Sequence, residues 1–194
     1  MKNFTKKALA AIMLITIALS ACSQEPRQEA EPPPIAEPPP AAELQPEEYP
    51  QPVSGSFPFA FTAEDLHGNT ITEAGLGEKQ LFFVYFWTTW CPACVNSMPG
   101  LVELAGEFAD YIGVITLLDD FDTARETAIR ITEDAPFYTV NARDDDFRQL
   151  VQLIKPQVIP TSIIVDAYGS VIGGHIIGGG IDRFRAAIEY ALGR

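Results

Sequence analysis

The chain has 194 residues, with 26 acidic side chains against 13 basic ones and a formal charge of −13. So acidic a surface excludes docking on nucleic acid, or on anionic lipid headgroups, through the protein itself. Three cysteines and two histidines leave little material for a metal centre, because a closed zinc site takes four ligands and the chain has neither a second C-x-x-C nor a His pair.

Lys2, Lys6 and Lys7 precede an apolar run over residues 8–19 that ends in small residues, the pattern of an export leader over residues 1–21. The end of that run, Leu19-Ser20-Ala21-Cys22, resembles a bacterial lipoprotein signal, which implies cleavage before Cys22 and a diacylglyceryl group on its sulfur. With Cys22 acylated, only Cys91 and Cys94 remain as thiols. Residues 22–54 are rich in Pro, Glu and Ala and read as a disordered tether, extending about 3.1 Å per residue where proline dominates. Residues 55–194 then have the size of one domain with one core.

Within that domain, residues 57–61 and Ile71 flank the turn Leu66-His67-Gly68-Asn69 and predict an N-terminal β-hairpin. Leu81 to Trp87 is a continuous apolar and aromatic run, as in a strand buried on both faces. A helix follows, with Cys94, Met98, Leu101, Ala105 and Phe108 on one face and a kink expected at Pro99. Residues 113–118 predict a second central strand, 123–132 a helix, 137–140 a short strand and 145–154 a helix. Residues 161–165 and 171–177, joined by Asp166-Ala167-Tyr168-Gly169, predict a hairpin, and 182–192 a closing helix. Alternating strands and helices that end in a hairpin imply an α/β fold with a mixed sheet covered on both faces.

The chemistry concentrates in Trp90-Cys91-Pro92-Ala93-Cys94, at the junction of the central strand and the next helix. Cysteines at this spacing can close into a disulfide and reopen. The first one falls at a helix N-terminus, where unpaired N–H groups and the macrodipole favour a thiolate. Cys91 is therefore the candidate nucleophile, and Cys94, one turn further in, the candidate resolving thiol.

Phe86-Trp87-Thr88-Thr89-Trp90-Cys91-Pro92-Ala93-Cys94, followed some seventy residues later by Ile159-Pro160-Thr161 and then by a hairpin with Gly at its turn, resembles the thioredoxin superfamily. Within it, the chain resembles the membrane-tethered TlpA/ResA-like thiol-disulfide oxidoreductases, to which the DsbE-type cytochrome c maturation proteins are also similar. The resemblance implies a thioredoxin-like fold with the N-terminal hairpin and an inserted helix and strand. It implies a cis Pro160 beside the cysteines, and a substrate-binding surface made by Trp90, Pro92, Ala93, Ile159, Pro160 and Thr161. It further implies an extracytoplasmic protein-disulfide reductase that uses no cofactor beyond its own dithiol. The implied partners are exported disulfide-containing proteins, apocytochrome c among them, and a membrane thiol donor of the DsbD or CcdA kind. A disulfide oxidase or isomerase is the alternative within the same chemistry; a copper-binding chaperone using His67 or His175, or a redox-inactive interaction domain, is the alternative outside it.

The chain departs from the family pattern at two positions. Thioredoxins carry a buried carboxylate where this chain has Tyr85, and many TlpA/ResA-like proteins carry a Glu where it has Ser97. Cys94 must then pass its proton to water, to a carboxylate from elsewhere such as Asp119 or Asp120, or to no dedicated base.

Overall fold

The computed structural model describes residues 54–194. The leader, Cys22 and the tether lie outside the described residues. A short antiparallel hairpin, β1 (Thr62–Glu64) and β2 (Thr70–Thr72), leads into a five-stranded sheet. That sheet comprises β3 (Leu81–Trp87), β4 (Ile112–Leu118), β5 (Tyr138–Asn141), β6 (Thr161–Asp166) and β7 (Val171–Ile177), in the order β5-β4-β3-β6-β7. β3, β4 and β5 run parallel, and β6 and β7 complete the sheet antiparallel. The helices are α1 (Pro92–Glu107), α2 (Phe121–Ile131), α3 (Arg148–Ile154) and α4 (Ile181–Ala191).

Every residue of β3 and of β4 is buried, which explains why their sequences are apolar but for the hydroxyls of Tyr85 and Thr116 instead of alternating. One core lies on the face that carries Phe83, Tyr85, Trp87 and Ile164, covered by Cys94, Met98 and Leu101 of α1 and by Phe184 and Ile188 of α4. The other lies on the face of Phe82, Val84, Phe86 and Ile163, covered by Leu150 and Ile154 of α3 and by Phe57 and Phe61. The sheet is therefore mixed and covered on both faces, as the sequence predicts.

Residues 57–61 differ from expectation, for they form no strand and β1 starts at Thr62. Phe57, Phe59 and Phe61 have the alternating spacing of a strand, but Phe57 makes edge-on contacts with Phe59, Phe61 and Phe82 at 5.1–6.0 Å. The segment packs its rings beneath the sheet, and Pro58 has no N–H to give to a ladder. Residues 145–147 form a 3-10 turn, so α3 itself begins at Arg148. It ends where Lys155 turns left-handed, at φ 43°, ahead of Pro156. Pro99 lies inside α1, which runs through it as one element.

Candidate active site

The loops at one end of the sheet converge on the cysteine pair. Cys91 is the N-cap of α1 and Pro92 takes the first helical position, where its missing N–H costs no hydrogen bond. The Cys94 N–H points at the Cys91 Sγ, 3.2 Å away, and also lies 3.0 Å from the Cys91 carbonyl. The two sulfurs are joined as a disulfide, with Cα atoms 5.2 Å apart. Cys91 is 5% exposed and Cys94 is fully buried. Cys94 is thus closed to another molecule and what exposure the pair has belongs to Cys91, an asymmetry that suits a nucleophile followed by a resolving thiol.

Register brings the second predicted segment to the same place. Phe86 pairs with Thr161 across β3 and β6, which sets Pro160 level with Trp87 at the motif end of the sheet. The Ile159–Pro160 peptide is cis. Thr161 Oγ1 donates to the Val158 carbonyl at 2.6 Å, and the Pro160 carbonyl accepts from the Gly178 N–H at 2.8 Å. Of the residues expected to touch substrate, Trp90, Pro92 and Ala93 are exposed, Ile159 is half-buried, and Pro160 and Thr161 are buried. Trp90 is 69% exposed, whereas Trp87 is core and its indole N–H donates to Thr116 Oγ1.

The positions that depart from the family pattern lie under Cys94. Tyr85 is fully buried and its hydroxyl donates to the Cys94 carbonyl at 3.1 Å. Burial pushes the phenol well above its ordinary value, and the Ser97 hydroxyl offsets only part of this, so Tyr85 stays neutral. Ser97 is turned back on its own helix, donating to the Ala93 carbonyl at 2.6 Å. Asp119 and Asp120 are already engaged. Asp119 pairs with Arg143 at 3.0 Å, and Asp120 accepts from the Thr89 N–H at 3.1 Å and from Thr89 Oγ1 at 2.6 Å. Asp120 therefore braces the loop that leads into Cys91 and does not reach under Cys94 as a base.

His67 is exposed, and His175 places its Nε2 2.9 Å from the Leu153 carbonyl. Among the described residues no three His, Cys, Asp or Glu side chains gather as metal ligands do. Sequence reasoning missed Gly179, which lies flush on α1 against Ala93 and Ser97; the run Gly178-Gly179-Gly180 was the visible signal. A cleft of about 490 Å³ opens there, lined by Ala93, Asn96, Ser97, Gly100 and Gly179 among others.

Residues 79–171 match a family model described as thioredoxin-like. The chain is similar to a thioredoxin-like protein of Haemophilus influenzae, with 31% identity over 54% of this chain and 59% of that one. It is also similar to the thiol-disulfide oxidoreductase ResA of Halalkalibacterium halodurans, with 26% identity over 59% of this chain and 64% of the relative. The chain thus spans about three fifths of the length of these curated relatives. Its fold resembles that of a thioredoxin-family thiol:disulfide interchange protein from Chlorobium tepidum, with a TM-score of 0.56, 21% identity, and coverage of 72% of this chain and 99% of the other. The chain has the thioredoxin-like fold and is similar to the ResA thiol-disulfide oxidoreductases. The helix and strand that the resemblance implies as inserted correspond to α2 and β5, which follow β4 and extend the sheet beyond it.

Proposed function

We propose that this protein is a lipid-anchored, extracytoplasmic thiol-disulfide oxidoreductase that reduces disulfides of exported proteins through Cys91 and Cys94. The observation that carries the reading is Cys91 at the N-cap of α1, its sulfur receiving the Cys94 N–H while Cys94 lies fully buried behind it. An N–H donor and the positive end of a 16-residue helix stabilise the thiolate at Cys91 relative to a free thiol. That thiolate attacks one sulfur of a substrate disulfide, and the other substrate sulfur departs and takes a proton. Cys94, as thiolate, then attacks the Cys91 Sγ, the bond from Cys91 to substrate breaks, and the second substrate thiol is released. Two electrons pass to the substrate and the Cys91–Cys94 disulfide remains.

A membrane dithiol donor of the DsbD or CcdA kind would return the pair to the reduced state, and apocytochrome c is one substrate of suitable chemistry. The names carried by the ResA relatives support the oxidoreductase chemistry. The reductase direction, the substrate, and the anchor at Cys22 are parts of the proposal. Trp90, Pro92, Ala93, Ile159, Pro160 and Thr161 form the surface on which the extended substrate chain would lie, pairing with backbone beside Pro160.

Cys91→Ser is expected to abolish turnover and Cys94→Ser to accumulate mixed disulfides with exported proteins; undiminished turnover in both variants sinks the mechanism. Direction is read from the reduction potential of the pair in thiol buffers. A value near about −270 mV supports a reductase, and one near about −120 mV makes the protein an oxidase.

A further inference from the structure

Ser162 is fully buried, and its hydroxyl has no hydrogen-bond partner among the described residues. Its place in the sheet makes this informative. Ser162 is the register partner of Tyr85 across the antiparallel pair β3 and β6. Partners directly opposite in such a pair project their side chains to the same face, about 5 Å apart at Cβ. That face carries Tyr85, Ile164 and Ile176, and α1 with Cys94 packs on it. Two hydroxyls therefore share the sheet face on which α1 and the buried cysteine pack. The Tyr85 hydroxyl is committed to the Cys94 carbonyl, and the Ser162 hydroxyl is uncommitted while the cysteines are joined.

A buried hydroxyl without a partner forfeits its hydrogen bonds to water and gains none in return, so its retention in a packed core asks for a reason. The redox cycle supplies one. When the pair opens, the Cys94 sulfur ceases to be bonded to Cys91 and becomes a weak donor as a thiol, or a charged acceptor as a thiolate. The groups packed around it offer no carboxylate. The only buried carboxylate among the described residues is Asp65, and it is taken up by the turn after β1 through the Asn69 side chain and the N–H groups of His67 and Asn69. On the elements that pack against Cys94, Glu103 of α1, His175 of β7, and Asp182 and Arg183 of α4 are exposed, and Asp120 is held on Thr89. Tyr85 and Cys91 are the buried titratable side chains that share this core with Cys94, and Tyr111 packs half-buried against it.

We propose that Tyr85 and Ser162 form an uncharged hydroxyl seat for Cys94: Tyr85 holds the first turn of α1, and Ser162 is reserved to hydrogen-bond the Cys94 sulfur, directly or through one water, once the pair is reduced. Ser162 is thus a positioning residue of the reduced state, and Cys94 yields its proton to solvent without a carboxylate. The inference rests on the proposed dithiol cycle and specifies how its second half proceeds. In that half the Cys94 S–H loses a proton to solvent, the thiolate bonds to Cys91 Sγ, and the substrate sulfur leaves with the electron pair and is protonated.

The test uses the full-length protein in two measurements. The first is the equilibrium of the pair with glutathione; the second is the decay of a thionitrobenzoate adduct on Cys91 across pH. In the native protein, decay is expected to accelerate with pH through the single ionisation of Cys94, with no inflection in the carboxylate range of about pH 4 to 6. Ser162→Ala is expected to shift the glutathione equilibrium about tenfold toward the disulfide, about 30 mV, and to move the ionisation to higher pH. Ser162→Thr, which keeps the hydroxyl, should restore both, and Tyr85→Phe should also raise the ionisation. Native behaviour of Ser162→Ala in both measurements overturns the inference, as does a carboxylate inflection in the native protein; either leaves the dithiol cycle standing. Failure of Cys91 to form an adduct at all overturns the proposed function and this inference with it.

Discussion

Replacing Gly179 by alanine would put a methyl group where α1 already lies. A Cβ built there falls well inside contact distance of Ser97 Oγ, 2.7 Å from the Ala93 carbonyl oxygen and 3.3 Å from Ser97 Cβ. The carbonyl belongs to the first turn of α1, between the two cysteines, and cannot swing aside as a flexible side-chain tip would. Something must shift, and overpacking of this kind costs about 1–3 kcal/mol. Removing the Ser97 hydroxyl relieves the worst contact but leaves the carbonyl, so Ser97→Ala should recover part of the loss and not all of it. The assay is urea unfolding of the oxidised full-length protein followed by Trp87 fluorescence, carried through the cycle of both single variants and the double variant. A coupling of at least about 0.5 kcal/mol is expected between the two sites. Gly179→Ala with a loss under about 0.5 kcal/mol, or strict additivity in the cycle, refutes the claim that this loop is seated on the active-site helix.

Asp65 predicts an acid limb of stability. Burial raises its pKa, but the hydrogen bonds from the Asn69 side chain and from the N–H groups of Asn69 and His67 outweigh this and leave the carboxyl below its ordinary 3.8. Because the folded value is the lower one, the contribution is complete above about pH 4 to 5 and is lost as pH falls through the folded value. Urea midpoints measured from pH 2 to pH 6 should show Asp65→Asn losing part of the native protein's acid-side slope; parallel curves would place the slope elsewhere. Asp120→Ala should cost about 1–2 kcal/mol by releasing Thr89, while the pH profile of turnover keeps its shape; loss of an ionisation from that profile would instead make Asp120 the base.

Much of this molecule was legible in one dimension because its signals are local. Leu81 to Trp87 is aliphatic and aromatic throughout with no charged side chain, and a strand with no hydrophilic face needs both faces covered, which already implies a layered α/β fold. The C-x-x-C spacing and the strand-to-helix junction named Cys91 and Cys94, since the N-cap position of Cys91 follows from where the apolar run stops. The aromatic alternation of residues 57–61 misled for an equally local reason: rings two apart satisfy a strand pattern whether they line a ladder or fill a hollow under a sheet.

Only the tertiary structure decided what lies beneath Cys94. Tyr85 and Ser162 are 77 positions apart in sequence, and their pairing depends on the register of two antiparallel strands, which no local pattern encodes. Asp119 and Asp120 were plausible proton acceptors in sequence because they end the strand beside the motif strand. Their side chains turned instead to Arg143 and Thr89, partners fixed by packing. The sequence by itself determined the redox pair and the layered fold, since spacing and periodicity act over a few residues. The surroundings that tune the buried thiol were decided in three dimensions, because a hydrogen bond depends on which strands and loops end up side by side.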